Sequence, residues 1–286
     1  MEKIKVAYNQ KSVDQMAAIM AQLNLNTVCR EANCPNMGEC YKKKTATFMI
    51  MGSQCTRNCR FCNVINGRPQ NLDPNEPENL AQAVEKLNLS HVVVTSVTRD
   101  DLPDGGAAHF AKVIEAIKRR NPDVTVEVLI PDMKGDPASL DMVIAAKPEV
   151  INHNIETVAD LYEQVRPEAD YRRSLDVLAY VKRTAPDILT KTGIMVGLGE
   201  TYQQVLQVMD DARDCGCDIF TVGQYLQPSE AHVSLKEYIS QETFDAYEKA
   251  GYEKGFRYVA SGPLVRSSYR AQEALVNEKE SALHRK

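Results

Sequence analysis

From residue 45 onward, short β-branched runs take turns with stretches of helical apolar periodicity, an order that few folds can absorb. The strand-like runs lie at 45–51, 91–97, 125–130, 150–154, 189–196, 218–222 and, more weakly, 258–260. Between them, residues 78–87, 107–119, 174–184, 201–215 and 241–254 read as amphipathic crossover helices. Such alternation is the mark of βαβ units on a parallel sheet. Periodicity by itself leaves two architectures open, an open doubly wound sheet and a curled, partly closed barrel. In both, functional side chains belong at the C-terminal ends of the strands, where loops 52–67, 98–106 and 197–200 would meet. With 286 residues, 43% of them hydrophobic, the chain can bury one α/β core over 45–263, flanked by an N-terminal extension (1–44) and a C-terminal one (264–286).

Six of the eight cysteines fall between Cys29 and Cys62. No window holds eighteen consecutive apolar residues, and the first ten, MEKIKVAYNQ, lack the apolar run of a secretory signal. A cytoplasmic protein with no membrane association is therefore expected, and in a reducing compartment crowded cysteines point to metal or catalysis rather than disulfides. A net charge of -5 argues against non-specific nucleic-acid binding.

The cysteines form two triplets. Cys55, Cys59 and Cys62 follow the first strand as C-x3-C-x2-C, and Cys29, Cys34 and Cys40 precede it as C-x4-C-x5-C in a loop rich in Asn, Pro and Gly. A four-iron cluster takes one thiolate per iron, so a triplet leaves one iron open to another ligand. Structural zinc is the competing reading, although zinc sites favour repeated C-x2-4-C pairs or added histidines, and no histidine lies near the second triplet.

The C-x3-C-x2-C loop, with Phe61 before its last cysteine, resembles the signature of the radical SAM superfamily. The upstream triplet narrows the resemblance to the lipoyl synthase family, as do the segments VVVTSVTRDDLPDGGAAHFA, HNIETV, VRPEADYRRSL, GIMVGLGE, TVGQYLQPSEAH and GPLVRSSY. The resemblance implies a partial (β/α)6 TIM-like barrel with both extensions. It also implies two 4Fe–4S clusters and S-adenosylmethionine, the latter chelated by the open iron of the Cys55, Cys59 and Cys62 cluster. Reductive cleavage of that cofactor would yield a radical that abstracts hydrogen from an unactivated carbon. The second, auxiliary cluster would be held by Cys29, Cys34, Cys40 and Ser267, and would be the sulfur donor of a sulfurtransferase acting at C6 and C8 of a protein-bound octanoyl-lysine. Read without the resemblance, Ser267 is a turn or helix cap. Implied partners are an octanoylated lipoyl-carrier domain, from a 2-oxoacid dehydrogenase E2 or a glycine-cleavage H protein, and reduced ferredoxin or flavodoxin. Many relatives are expected to carry His after the tyrosine of the R-S-S-Y motif, where this chain has Arg270.

Gly105, Gly106 and Glu200 resemble cofactor-contacting loop residues, glycine allowing close backbone approach and a carboxylate receiving an ammonium group. Asn154, Glu156 and Arg166, at or beyond the end of the fourth strand, are further candidates for facing S-adenosylmethionine, with ordinary loop hydrogen bonding as their alternative. Cys215 and Cys217 flank a helix-ending glycine and read as small core residues. The run Lys42, Lys43 and Lys44 reads as a solvated face, with docking of an acidic carrier as the sharper alternative.

Overall fold

The computed structural model describes residues 10–31, 34, 36–42, 46–268, 271 and 273. The chain divides into two compact units, one running to Asn58 and resuming over Cys62–Glu149, the other made of Cys59–Phe61 and the chain from Val150 onward.

In the first unit, β1 (Asn26–Thr27) pairs antiparallel with β2 (Thr47–Ile50), and β3 (His91–Ser96) and β4 (Thr125–Leu129) follow in parallel. The upstream segment thus reaches the sheet, where the sequence suggested only an appendage before the first strand. It also carries α1 (Gln10–Gln22), which no strand pattern announces. The crossover helices are α2 (Glu76–Leu87), α3 (Ala107–Arg120) and α4 (Pro137–Ala145). In α3 the buried side chains of Ala107, Phe110, Ile114 and Ile117 recur at helical spacing, which gives one apolar stripe to lay on the sheet. β3 is buried along nearly its whole length, as a strand covered on both faces must be, and its Val-Val-Val run suits that place.

In the second unit, β5 (Val150–Asn152), β6 (Leu189–Val196), β7 (Ile219–Gln224) and β8 (Tyr258–Gly262) run parallel in chain order. Three helices connect them: α5 (Tyr171–Thr184), α6 (Tyr202–Asp214) and α7 (Gln241–Glu253). α6 starts at a capping box between Thr201 and Gln204, and α5 at the Asp170 carboxylate, which accepts the Arg173 N–H. The core between sheet and helices is built on Leu178, Ile194, Val208, Met209, Phe220 and Phe244. Cys217 lies in this core and Cys215 packs against it. Burial pushes the Cys217 thiol up to about 12 and the Cys215 thiol to about 11, so both belong to packing, as their sequence setting suggested. No helix among the described residues is long and apolar enough to cross a membrane.

Candidate active site

The loop that carries the second triplet begins with a sharp exit from β2. Met51 (φ 66°) and Gly52 (φ 91°) both take the left-handed conformation, which a glycine accepts freely and a methionine does not. The Glu76 carboxylate holds the Met51 N–H at 3.0 Å and is itself hydrogen-bonded to His109 Nε2 at 2.6 Å, so the first turn of α2 fixes the strained residue. Beyond it Gln54–Cys55 pairs with Ile65–Asn66, closing the loop on itself. Backbone N–H groups converge on the sulfurs. Cys55 Sγ accepts from Thr98 N (3.2 Å) and Arg57 N (3.5 Å), and Cys62 Sγ from Val64 N (3.5 Å).

Arg57, between the first two cysteines of the triplet, is buried and donates to Asp100 (2.6 and 3.0 Å) and to Asp132 (2.9 and 2.7 Å). Burial opposes its charge, but hydrogen bonds to the two carboxylates outweigh that and hold the guanidinium above its ordinary range. Thr56 Oγ1 donates to Thr98 O and accepts from Asp100 N. Next door, Arg99 clamps Asp101 (2.9 and 2.8 Å) and reaches Met51 O at 3.3 Å. The Thr98-Arg99-Asp100-Asp101 segment is therefore a brace for the cysteine loop. Sequence reasoning quoted it as a block and assigned it no task.

The remaining stretch, Cys59–Phe61, is threaded through the second unit. Arg60 N donates to Val165 O (3.0 Å) and Arg60 O accepts from Val233 N (2.8 Å). Phe61 packs against Val165, Leu198, Tyr225 and Val233, which accounts for an aromatic beside the last cysteine.

Beyond β5 the structure brings four of the candidates together. Asn154 Nδ2 donates to Glu156 Oε1 (3.0 Å) and to Ser267 Oγ (2.6 Å). Arg166 donates to the carbonyls of Asn154 (2.9 Å) and Ile155 (3.0 Å). Glu156 is left-handed (φ 71°) and is held there by ladder bonds of 2.9 Å to Gly193 O and from Met195 N. It retains some accessible surface, yet protein crowds it enough for desolvation to push its carboxyl above the usual carboxylate range, against the opposing pull of Arg166 and the Asn154 amide. Arg166 stays charged despite burial, with Tyr162, Glu156 and Cys59 as its electrostatic partners. Asn154 Oδ1 and Arg166 Nε are buried and have no protein partner among the described residues. Ser267 is seated by Gly223, where a Cβ would stand 2.3 Å from Val265 O. No sequence signal marked Gly223 for that task.

The glycine candidates are placed differently. Gly106 (φ 91°) caps α3, and a Cβ there would stand 2.4 Å from Met51 Sδ, so it lets the helix start against the exit of β2. Glu200 takes the N–H groups of Gly197 (2.6 Å) and Leu198 (2.9 Å) on its two oxygens. Its carboxylate is engaged by its own loop, a duty the cofactor-ammonium expectation did not foresee. The upstream triplet departs from the expected loop. Cys29 is buried in the helical turn Val28–Glu31, Cys40 lies on Met37–Lys42, and Cys34 N donates to Cys29 O at 2.9 Å. Asn63 Nδ2 donates to Glu31 O (2.8 Å), tying that turn to the second cysteine loop. Lys43, Lys44 and Arg270 lie outside the described residues.

All eight cysteines are free thiols. Among the described residues no three His, Cys, Asp or Glu side chains stand close enough to hold a single metal ion. A cubane instead spreads its ligands one per iron, and N–H donors on ligand sulfurs are what such clusters use to stabilise their charge. The loop of Cys55, Cys59 and Cys62 therefore fits a four-iron cluster by donor chemistry.

The family model of the Radical SAM superfamily matches residues 49–212. The chain belongs to that superfamily, and its fold is the superfamily's α/β partial barrel. Methylornithine synthase shares the fold with a TM-score of 0.57 at 13% identity, over 92% of this chain and 82% of that one. Lipoyl synthase of Caldanaerobacter subterraneus subsp. tengcongensis is 58% identical over 96% of both chains, and that of Alkaliphilus metalliredigens 54% identical over 94% of this chain and 93% of its own. Within the superfamily, the chain is a member of the lipoyl synthase family. S-adenosylmethionine and 4Fe–4S clusters are the cofactors of that family, and its reaction involves a lipoyl-carrier protein and a reductant.

Proposed function

We propose that this chain inserts sulfur at C6 and C8 of an octanoyl group carried on a lysine of a 2-oxoacid dehydrogenase E2 or glycine-cleavage H protein, in the cytoplasm, with reduced ferredoxin or flavodoxin as electron source. In this reading Cys55, Cys59 and Cys62 hold the cluster that binds S-adenosylmethionine, and Cys29, Cys34, Cys40 and Ser267 hold the auxiliary cluster that donates sulfur. When bound, the first cluster supplies the electron for cofactor cleavage. The chain's own residues do the positioning. Thr98, Arg57 and Val64 present N–H groups to two ligand sulfurs, and the buried Arg57, Asp100 and Asp132 set keeps the loop in shape. Asn154, Glu156 and Arg166 form a polar wall whose spare Oδ1 and Nε suit the cofactor's amino and carboxylate groups. Gly105, Gly106 and the Glu200-capped loop allow close backbone approach.

The observation that carries this reading is the convergence of backbone N–H groups on free thiols of the C-x3-C-x2-C loop, in a chain 58% identical to a lipoyl synthase. Anaerobically reconstituted protein given an octanoylated carrier peptide, S-adenosylmethionine and a reductant tests it. Lipoyl peptide should form, and Cys55→Ala should abolish cofactor cleavage. Retained cleavage in Cys55→Ala, or its complete loss in Cys29→Ala with the first cluster still loaded, would refute the division of labour.

A further inference from the structure

We propose that Asn154 is a positioning residue for Ser267, linking the serine that would ligate the auxiliary cluster to the rigid Glu156 corner. The inference rests on the ligand set proposed above. Asn154 has two amide hydrogens, and the structure assigns one to Glu156 Oε1 at 3.0 Å and the other to Ser267 Oγ at 2.6 Å, 113 residues further along the chain.

One side of this bridge is fixed. Two ladder bonds hold the Glu156 backbone, and Arg166 grips the Asn154 and Ile155 carbonyls while Tyr162 Oη adds a 2.8 Å bond to Ile155 O. Ser267, by contrast, lies in an irregular turn after β8, seated on Gly223. Order therefore passes from Asn154 to Ser267 and not the reverse. A serine oxygen that binds iron gives up its proton to water as the Fe–O bond replaces the O–H bond. An N–H already donating to that oxygen then becomes a charge-assisted hydrogen bond to an alkoxide, which strengthens it. The same amide also ties Glu156, on the side proposed to face S-adenosylmethionine, to the side that would release sulfur.

The test removes the cofactor's cluster from view. In the full chain carrying Cys55→Ala, Cys59→Ala and Cys62→Ala, only the auxiliary cluster can load, and iron loss to a ferrous chelator is followed anaerobically by absorbance. Adding Ser267→Ala, Asn154→Ala or Asn154→Asp should each speed iron loss on the order of tenfold, the effect of losing one hydrogen bond to a charged group. Asn154→Ala with Ser267→Ala should be no faster than Ser267→Ala, because the two act through one oxygen. Asn154→Asp keeps the shape and carries the test if Asn154→Ala does not fold. Parental release rates in both Asn154 variants, or multiplying effects in the double variant, would overturn the proposal. If Ser267→Ala itself leaves release unchanged, the serine ligand assignment fails, and this inference fails with it.

Discussion

Arg57→Ala should be among the most costly single substitutions in the first unit, although it removes no cluster ligand. The guanidinium makes four hydrogen bonds of 2.6–3.0 Å, two to each of Asp100 and Asp132. The side chain of Asp132 is 0% exposed and that of Asp100 27%. Asp100 can rehydrate once the arginine is gone, so its share is under about 1 kcal/mol. Asp132 cannot, and a buried carboxylate deprived of its guanidinium costs ~3–5 kcal/mol. Against a total stability of roughly 5–15 kcal/mol this is a large fraction, and it corresponds to a fall in Tm on the order of 10 °C. Urea and thermal unfolding of cluster-free protein under anaerobic conditions read it directly. Adding Asp132→Asn to Arg57→Ala removes the stranded charge, so the pair should be coupled by more than about 1.5 kcal/mol in a double-mutant cycle. A loss below about 1 kcal/mol, or strict additivity, would show that the loop does not depend on this buried ion set.

Gly223→Ala should push Val265 away and displace the Ser267 turn, lowering iron retained per chain by the auxiliary triplet, while the Gly255→Ala control meets no atom within 4 Å and differs only through its own φ of 87°. Hydrogen bonds from Arg99 hold Asp101 below the ordinary carboxylate range, so its contribution is present above the unfolded pKa of ~3.9 and is lost as pH falls through the lower folded value. The destabilisation by Asp101→Asn, measured by urea unfolding, should therefore be larger at pH 7 than at pH 3, and a pH-independent penalty would contradict the pairing. With a thiol pushed up to about 12, Cys217 at pH 8 is thiolate in only about one molecule in ten thousand, so iodoacetamide should leave it unlabelled in native protein and modify it after unfolding. Labelling faster than global unfolding, read by peptide mass spectrometry, would place it outside the core.

The strands were legible because parallel strands buried on both faces need near-continuous β-branched runs, and His91–Ser96 and Leu189–Val196 supply them. The cysteine loop was legible because its chemistry is local in sequence. What escaped was long-range or lacked a pattern. Asp132 lies 75 residues beyond Arg57 and Ser267 113 beyond Asn154, separations that no local spacing rule connects. α4, reading PASLDMVIA, is too short and too evenly apolar to show a stripe. The helical turns around Cys29 and Cys40 are four and six residues long, below the length at which propensity alone speaks, so their Asn-Pro-Gly content pointed to a loop. Gly223 serves by letting a distant backbone approach, which leaves no trace in its neighbours.

The brace of Arg57, Asp100, Asp132 and Thr98 is assembled from protein atoms alone, so the pocket for the first cubane is cast before any iron arrives. Metal then fills a finished mould, unlike a zinc finger, whose polypeptide collapses only around its ion. A cell short of iron would accumulate this enzyme as an intact but dormant stock. Resupply would restore activity by cluster delivery, without new synthesis.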